Sequence, residues 1–228
     1  MLFDEWSERY DQWFTTPVGK LVKEIEGELI HELVNPKPEE TVLDAGCGTG
    51  IFTLDFLASG AQVVGLEISE PMLSVASKKI SGYPFLPVRG DMLHLPFKGN
   101  SFDKAVSITA IEFIENAKNA VDELFRVARP GGCVVVATLN SLSPWAVRRQ
   151  AKTQRGQRHI LENIFFRSPD ELLTYSSLKG IAKTAIHFQK DDDPDQAMKN
   201  EQLGRSQGLD TGAFVVVRWE KPRLILEH

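Results

Sequence analysis

Five short apolar runs recur through the middle of the chain: TVLDA (41–45), QVVGLE (62–67), FLPVRGD (85–91), FDKAVSIT (102–109) and GCVVVATLN (132–140). They are rich in β-branched residues and do not alternate apolar with polar, which is the pattern of strands buried on both faces. The segments between them have helical spacing. SEPMLSVASKKI opens with Ser69 as N-cap and Pro71 in the first turn. After Asn116, residues Ala117, Ala120, Val121, Leu124, Phe125 and Ala128 keep one face up to the stop at Pro130, Gly131 and Gly132. Strands alternating with helices of this length predict right-handed βαβ units and a parallel sheet covered on both sides, a doubly wound α/β core.

Two flanks break this rhythm. Ahead of the first strand, Val18, Leu21, Val22, Ile25, Leu29 and Leu33 recur three or four apart, predicting an amphipathic helix from Pro17 to Val34 that ends at Asn35, Pro36 and Pro38. After the fifth strand come a polar, basic stretch (Arg148 to Arg158) and a helix at SPDELLTYSSLKG, started by Ser168, Pro169 and Glu171 as a capping box. Two strand candidates follow, KTAIHFQ (183–189) and GAFVVVRWEK (212–221), separated by the acidic DDDPD and a polar helix or loop. With little helix between them they are expected to pair antiparallel and close one edge of the sheet. The domain plan is a single unit over 1–225: an N-terminal helical lid (1–38), a core (39–140), a substrate-side insertion (141–180) and C-terminal strands (181–225). Residues 226–228 read as a tag remnant.

Composition narrows the function classes. A net charge of −5 gives no general attraction to a phosphate backbone, so nucleic acid is not an expected partner. No apolar run approaches the length a bilayer requires, and the acidic, aromatic opening MLFDEWSERYDQW lacks the marks of a secretory signal. A cytoplasmic location is therefore expected. The two cysteines, Cys47 and Cys133, lie in or beside strand patterns without metal-ligand spacing, so both are expected to be reduced, and no metal site is predicted.

The strongest local motif is VLDAGCGTGIF, a strand ending in Asp44, then glycines at 46, 48 and 50, then a helical segment. Glycines there let backbone amides approach a ligand closely at a helix start. A dinucleotide fingerprint needs glycine at 51, where this chain has Ile51. A tight strand-to-helix connection is the plainer reading of the loop by itself. Two further acids alter the balance. Glu67 ends the second strand, where a carboxylate accepts from both hydroxyls of a ribose, and Asp91 ends the third, where it suits an adenine amine with Met92 and Leu93 as an apolar wall.

LDAGCGTG, VVGLEISEPML, GDMLHLPF followed by SFDKAVS, and ELFRVARPGG, in this order over roughly residues 41–138, resemble the class I S-adenosylmethionine-dependent methyltransferases. They resemble in particular the methyltransferase type 11 group, similar to the ubiquinone and menaquinone biosynthesis C-methyltransferases. The resemblance implies a Rossmann-like, mostly parallel seven-stranded sheet with an antiparallel edge strand. It implies S-adenosylmethionine as cofactor and S-adenosylhomocysteine as product. By the same resemblance Asp44, Gly46, Cys47 and Gly48 face the methionine part, Glu67 with Ile68 the ribose, and Asp91 with Met92 the adenine, while Thr109 and Ala110 line the methyl-transfer side. Quinone-type members often carry histidines after the fourth strand; this chain reads ITAIEFIEN, with Glu112 there, and departs from them.

Three residues are candidates for a general base toward a small-molecule acceptor: Glu112, Tyr10 and His159. Glu112 also reads as a helix-start acid favoured by the dipole. Trp6, Tyr10, Trp13 and Phe14 suit a lid over the cofactor, or an aromatic helix packed on the sheet. Trp145, Arg148, Arg149 and Arg158 suit a wall toward an anionic acceptor, or a solvated basic face. A nicotinamide-dependent oxidoreductase and a non-catalytic nucleoside-binding module stay open as alternatives at this level.

Overall fold

The computed structural model describes residues 11–154 and 164–223. Helix α1 (Pro17–Val34) has the bounds its spacing predicts, capped by the Thr16 side chain and closed by Asn35 in the left-handed conformation. The core runs β1 (Thr41–Ala45), α2 (Thr53–Ala58), β2 (Gln62–Glu67), α3 (Glu70–Lys79), β3 (Phe85–Arg89), β4 (Phe102–Ile108), a 3-10 turn (Ile111–Phe113), α4 (Ala117–Val127) and β5 (Ala128–Leu139). Then come α5 (Pro144–Gln154), α6 (Pro169–Leu173), β6 (Gly180–Ala185), α7 (Pro194–Ser206) and β7 (Phe214–Glu220).

The seven strands form one sheet in the order β3-β2-β1-β4-β5-β7-β6. Strands β1 to β5 pair in parallel, and β7 runs antiparallel to both its neighbours. Strand order reverses between β1 and β4, and ligands of open α/β sheets bind beyond the carboxyl ends of strands at such a point. One apolar cluster, with α1 and α2, covers one face through Val42, Val63, Val106, Val135 and Val216. The other, with α4, covers the second face through Leu43, Leu66, Ala105, Val134 and Val217. Consecutive residues thus point to opposite buried faces, which explains the unbroken apolar runs.

The two C-terminal strands pair antiparallel and close one edge of the sheet as expected, with β7 inside and β6 outermost. In β7 Phe214, Val215, Val216, Val217 and Trp219 are all buried, so this strand needs neighbours on both sides. β6 leaves Ile181 about half exposed and tolerates the edge. β6 also lies earlier than its predicted span of 183–189, because Ile186 takes a positive φ of 65° and turns the chain out of the sheet. At the other border, Pro130-Gly131-Gly132 belongs to β5, where the register shifts between Phe102 and Lys104. The basic stretch after Pro144 is helical at its start, as α5.

Candidate active site

The loop after β1 is held to the end of β2: the Gly46 and Cys47 amides donate to the Leu66 carbonyl at 2.7 and 3.1 Å. Gly46, with φ of 80°, is required twice over, since a Cβ there would stand 2.4 Å from that of Ala110. The same point lies 3.9 Å from Met92 Sδ, and the equivalent point on Gly48 lies 3.9 Å from Met72 Sδ. The loop backbone is therefore bare on one side and flanked by thioethers. The Cys47 thiol lies against Gly65 in the sheet and donates to the Gly48 carbonyl at 4.0 Å, and burial pushes its pKa up.

Three acids sit at the carboxyl ends of β1, β2 and β3. Asp44 is 2% exposed; Oδ2 accepts from Thr53 Oγ1 at 2.6 Å while Oδ1 is buried with no partner among the described residues. Burial raises its pKa to about 6, the Thr53 hydroxyl opposes this, and the nearby Glu67 charge adds to it. Glu67 is fixed by two backbone amides, Ser69 N–H on Oε1 at 2.9 Å and Gly48 N–H on Oε2 at 3.0 Å. Burial pushes its pKa up and those amides hold it down. Each of its oxygens keeps a lone pair for a further donor. Asp91 is more open: Oδ1 accepts from Leu93 N–H at 2.9 Å and Oδ2 lies 3.6 Å from His94 Nδ1. Beside it Met92 is buried, whereas Ile68, next to Glu67, is 41% exposed, an apolar surface presented at the strand ends.

On the far side of Gly46 the chain leaves β4 through Thr109, a β-branched residue held at φ of 48° with its amide bonded to Ala137 O at 2.9 Å. Such backbone is costly and persists where surroundings impose it, often at a site. Glu112 follows in the 3-10 turn, 3% exposed, with Oε2 accepting from Thr138 Oγ1 at 2.9 Å. Burial lifts its pKa to about 7 against that hydroxyl and the charges of Arg167 and Arg149. Arg167 clips this turn in place by donating to the carbonyls of Ile111, Phe165, Ile114 and Glu115 and to Tyr175 Oη.

The structure thus brings Asp44, Gly46, Gly48, Glu67, Ile68, Asp91, Met92, Thr109, Ala110 and Glu112 to one end of the sheet. Tyr10 and His159 lie outside the described residues, as do Trp6 and Arg158. Trp145 Nε1 donates to Phe188 O at 2.7 Å and Arg148 pairs with Asp191 at 3.2 Å, tying α5 to the segment after β6, while the charge of Arg149 acts on Glu112.

One link to the glycine loop and one buried acid escaped the sequence. Asp11 joins the N-terminal segment to the glycine loop, accepting from Thr49 Oγ1 at 2.6 Å and from Lys79 Nζ at 2.5 Å. Glu26 is buried on α1, at a position of the apolar stripe between Val22 and Leu29. An acid on that stripe was the available signal. No group of His, Cys, Asp and Glu that suits a metal ion occurs among the described residues, and none of their helices is long and apolar enough to cross a membrane.

Comparison with known proteins agrees with this geometry. A family model described as a methyltransferase domain matches residues 43–136. The chain is 34% identical over 182 residues to a malonyl-[acyl-carrier protein] O-methyltransferase of Erwinia pyrifoliae, covering 71% of this chain and 69% of that protein. It is 33% identical over 155 residues to a demethylmenaquinone methyltransferase of Streptomyces avermitilis, covering 67% and 64%. A solved S-adenosylmethionine-dependent methyltransferase from Thermotoga maritima superposes with a TM-score of 0.71 at 22% identity, over 96% of this chain and 98% of that one. None of these matches supports the oxidoreductase or binding-module alternatives.

Proposed function

Because the chain belongs to the class I S-adenosylmethionine-dependent methyltransferases, we propose that its strand-end acids divide the methyl donor among them, with Asp44 on the methionine ammonium, Glu67 on the ribose diol and Asp91 on the adenine amine. The enzyme methylates a small-molecule acceptor using S-adenosylmethionine. The buried Asp44 Oδ1 carries the assignment: an acceptor atom with no donor among the described residues, at the carboxyl end of β1, suits a cationic group. The glycine backbone, which a Cβ at Gly46 would obstruct, fits a ligand lying close against it.

When bound, the donor supplies a methyl group already activated on a sulfonium, so an in-line displacement suffices. The chain's residues orient and exclude water. Glu67, pinned by the Ser69 and Gly48 amides, offers one lone pair per oxygen to a diol without moving. Met72 and Met92 close the loop from its sides with apolar surface. Thr109 and Ala110 border the path from donor to acceptor, and Glu112, near neutrality at about 7, is the group that takes a proton from an acceptor that must lose one. The relatives named above act on unlike acceptors, so membership of the family leaves the acceptor to the residues around Glu112. Two buried, unpaired cysteines support a cytoplasmic setting.

Calorimetric titration of S-adenosylhomocysteine into the wild type and Glu67→Ala tests the assignment. Binding that weakens in the folded variant supports it; equal affinity removes Glu67 from the ribose site.

A further inference from the structure

Arg167 is 2% exposed, yet each of its five N–H donors has an acceptor. Nη1 donates to Ile111 O and Phe165 O at 3.0 Å, Nη2 to Ile114 O and, at 3.2 Å, to Glu115 O, and Nε to Tyr175 Oη at 2.8 Å. Glu171 on α6 stands 3.6 Å from Nε and accepts from the same Tyr175 hydroxyl at 2.8 Å, so α6 backs the guanidinium. The carbonyls it grips lie close together in the chain. Ile111, Ile114 and Glu115 enclose Glu112, in the 3-10 turn and just past it, and the Glu112 carbonyl itself accepts from the Phe165 amide at 2.8 Å.

The main chain of Arg167 is stitched to the end of β5: its amide donates to Leu139 O at 3.2 Å and its carbonyl accepts from Ser141 N–H at 3.1 Å. The residue before Leu139 is Thr138, whose hydroxyl donates to Glu112 Oε2 at 2.9 Å. Arg167 therefore holds, through its side chain, the turn that carries Glu112 and, through its backbone, the strand that carries the hydroxyl partner of Glu112. A buried guanidinium is costly to desolvate, and an apolar side chain would fill the same space at less cost. What only the guanidinium supplies is position. A turn of three residues has no helical ladder to hold its last carbonyls, whereas a general base has to stay within hydrogen-bond reach of one atom.

We propose that Arg167 is a positioning residue for deprotonation of the acceptor: it keeps the Glu112 turn and Thr138 in fixed relation, so that the carboxyl meets the acceptor in one place. The inference rests on Glu112 as the proton-accepting group. In that step the acceptor gives its proton to the Glu112 carboxylate and keeps the electron pair, which forms the bond to the methyl carbon as the S–C pair goes to sulfur. Arg167 touches no reacting atom and exchanges no proton. Lysine would keep the charge but not the role, since its three donors on one nitrogen cannot span the carbonyls of Ile111, Ile114 and Glu115 and Tyr175 Oη together. Burial lifts the Glu112 pKa to about 7, against its own amide, the Thr138 hydroxyl, Arg167 and Arg149 of α5, and α1 carries Glu26, whose ionisation the Glu112 charge opposes. A released turn lets water reach the carboxyl, and its pKa falls toward 4.5.

The test is a carbon-13 NMR titration of the full chain, labelled at the glutamate carboxyl carbons, with the Glu112 signal identified by its loss in Glu112→Gln. Arg167→Lys, which keeps the charge and breaks the fork, is expected to lower the Glu112 midpoint by at least about one pH unit. Tyr175→Phe removes only the acceptor of Nε and is expected to move the midpoint the same way by less; it decides the question if Arg167→Lys does not fold. A residue that served the fold alone would leave the Glu112 midpoint of a folded variant where it was. An unchanged or raised midpoint in the folded variant therefore overturns the proposal. A wild-type Glu112 that titrates near 4.5 instead of about 7 refutes the base itself, and the positioning role falls with it.

Discussion

Asp44→Asn separates a group that holds a cation from one that only caps a strand. In the wild type the Asp44 pKa stands at about 6 against an ordinary 3.8, a difference of about 2 units, or about 3 kcal/mol. A raised acid makes ionisation harder in the folded state, so this contribution to stability is greatest at acid pH. It declines as pH rises from about 4 to about 6 and is flat above that. The Asn variant lacks this slope, although it leaves an amide N–H2 where Oδ1 had no partner. Its effect on binding has the opposite origin. Losing a charge-assisted hydrogen bond to the ligand ammonium costs about 1.5–3 kcal/mol, or about tenfold to hundredfold in affinity for S-adenosylhomocysteine at pH 7.5. At pH 5 most wild-type Asp44 is protonated, so the gap between the two proteins narrows by up to about tenfold. Calorimetric titrations at the two pH values, with melting curves across pH 4–8, measure both effects. Equal affinities at pH 7.5 in a folded variant, or a gap indifferent to acid, would refute the reasoning.

Gly46→Ala is expected to lower stability by about 2–4 kcal/mol, from left-handed backbone and the 2.4 Å clash with Ala110, and to abolish donor binding; a melting curve and a titration report the two separately. Glu67→Ala should weaken S-adenosylhomocysteine by about tenfold to hundredfold while circular dichroism stays unchanged, and intact affinity would contradict the ribose role. Replacing Glu26 by Leu should raise the melting temperature more at pH 8 than at pH 5, because the raised acid destabilises the fold increasingly between about 4.5 and about 8; a shift that is equal at both pH values counts against a buried ionising group there. Asp11→Ala should increase protease cleavage near the N-terminal segment by cutting its ties to Thr49 and Lys79, and an unaltered digestion pattern would remove the latch.

The strand-end acids and the glycine loop were legible because their physics is local. Strands buried on both faces must read as apolar runs, so an acid at the end of each stands out, and the glycines of 46–50 follow directly from the close contacts and positive φ angles found there. The acceptor side is assembled from afar. Thr138 reaches Glu112 from β5 and Arg167 clips its turn from beyond α5, and no spacing along the chain announces their meeting. Trp145 and Arg148 looked available because composition marks a charged helix as open, whereas tertiary packing gives both of them partners. The antiparallel pair closes one edge of the sheet as expected, but the order within the pair was not legible. Which of two adjacent strands lies outside depends on the cover each receives, and Ile181 in β6 shows the difference only once exposure is measured.

The interior position of β7 also dictates an order of assembly. Among the described residues β6 has no neighbour in the sheet except β7, and β7 closes against β5, a strand finished before α5, α6, β6 and α7 are made. Until β7 is present, β5 is an open edge with apolar flanks, the kind of surface that recruits other chains. Pairings within β1 to β5 join residues at most 62 apart in sequence, whereas completion waits for the β5–β7 pairing of residues 75 to 87 apart, the more distant and slower class of contact. A chain stalled before Phe214 would therefore hold its donor loop in place yet be prone to aggregate.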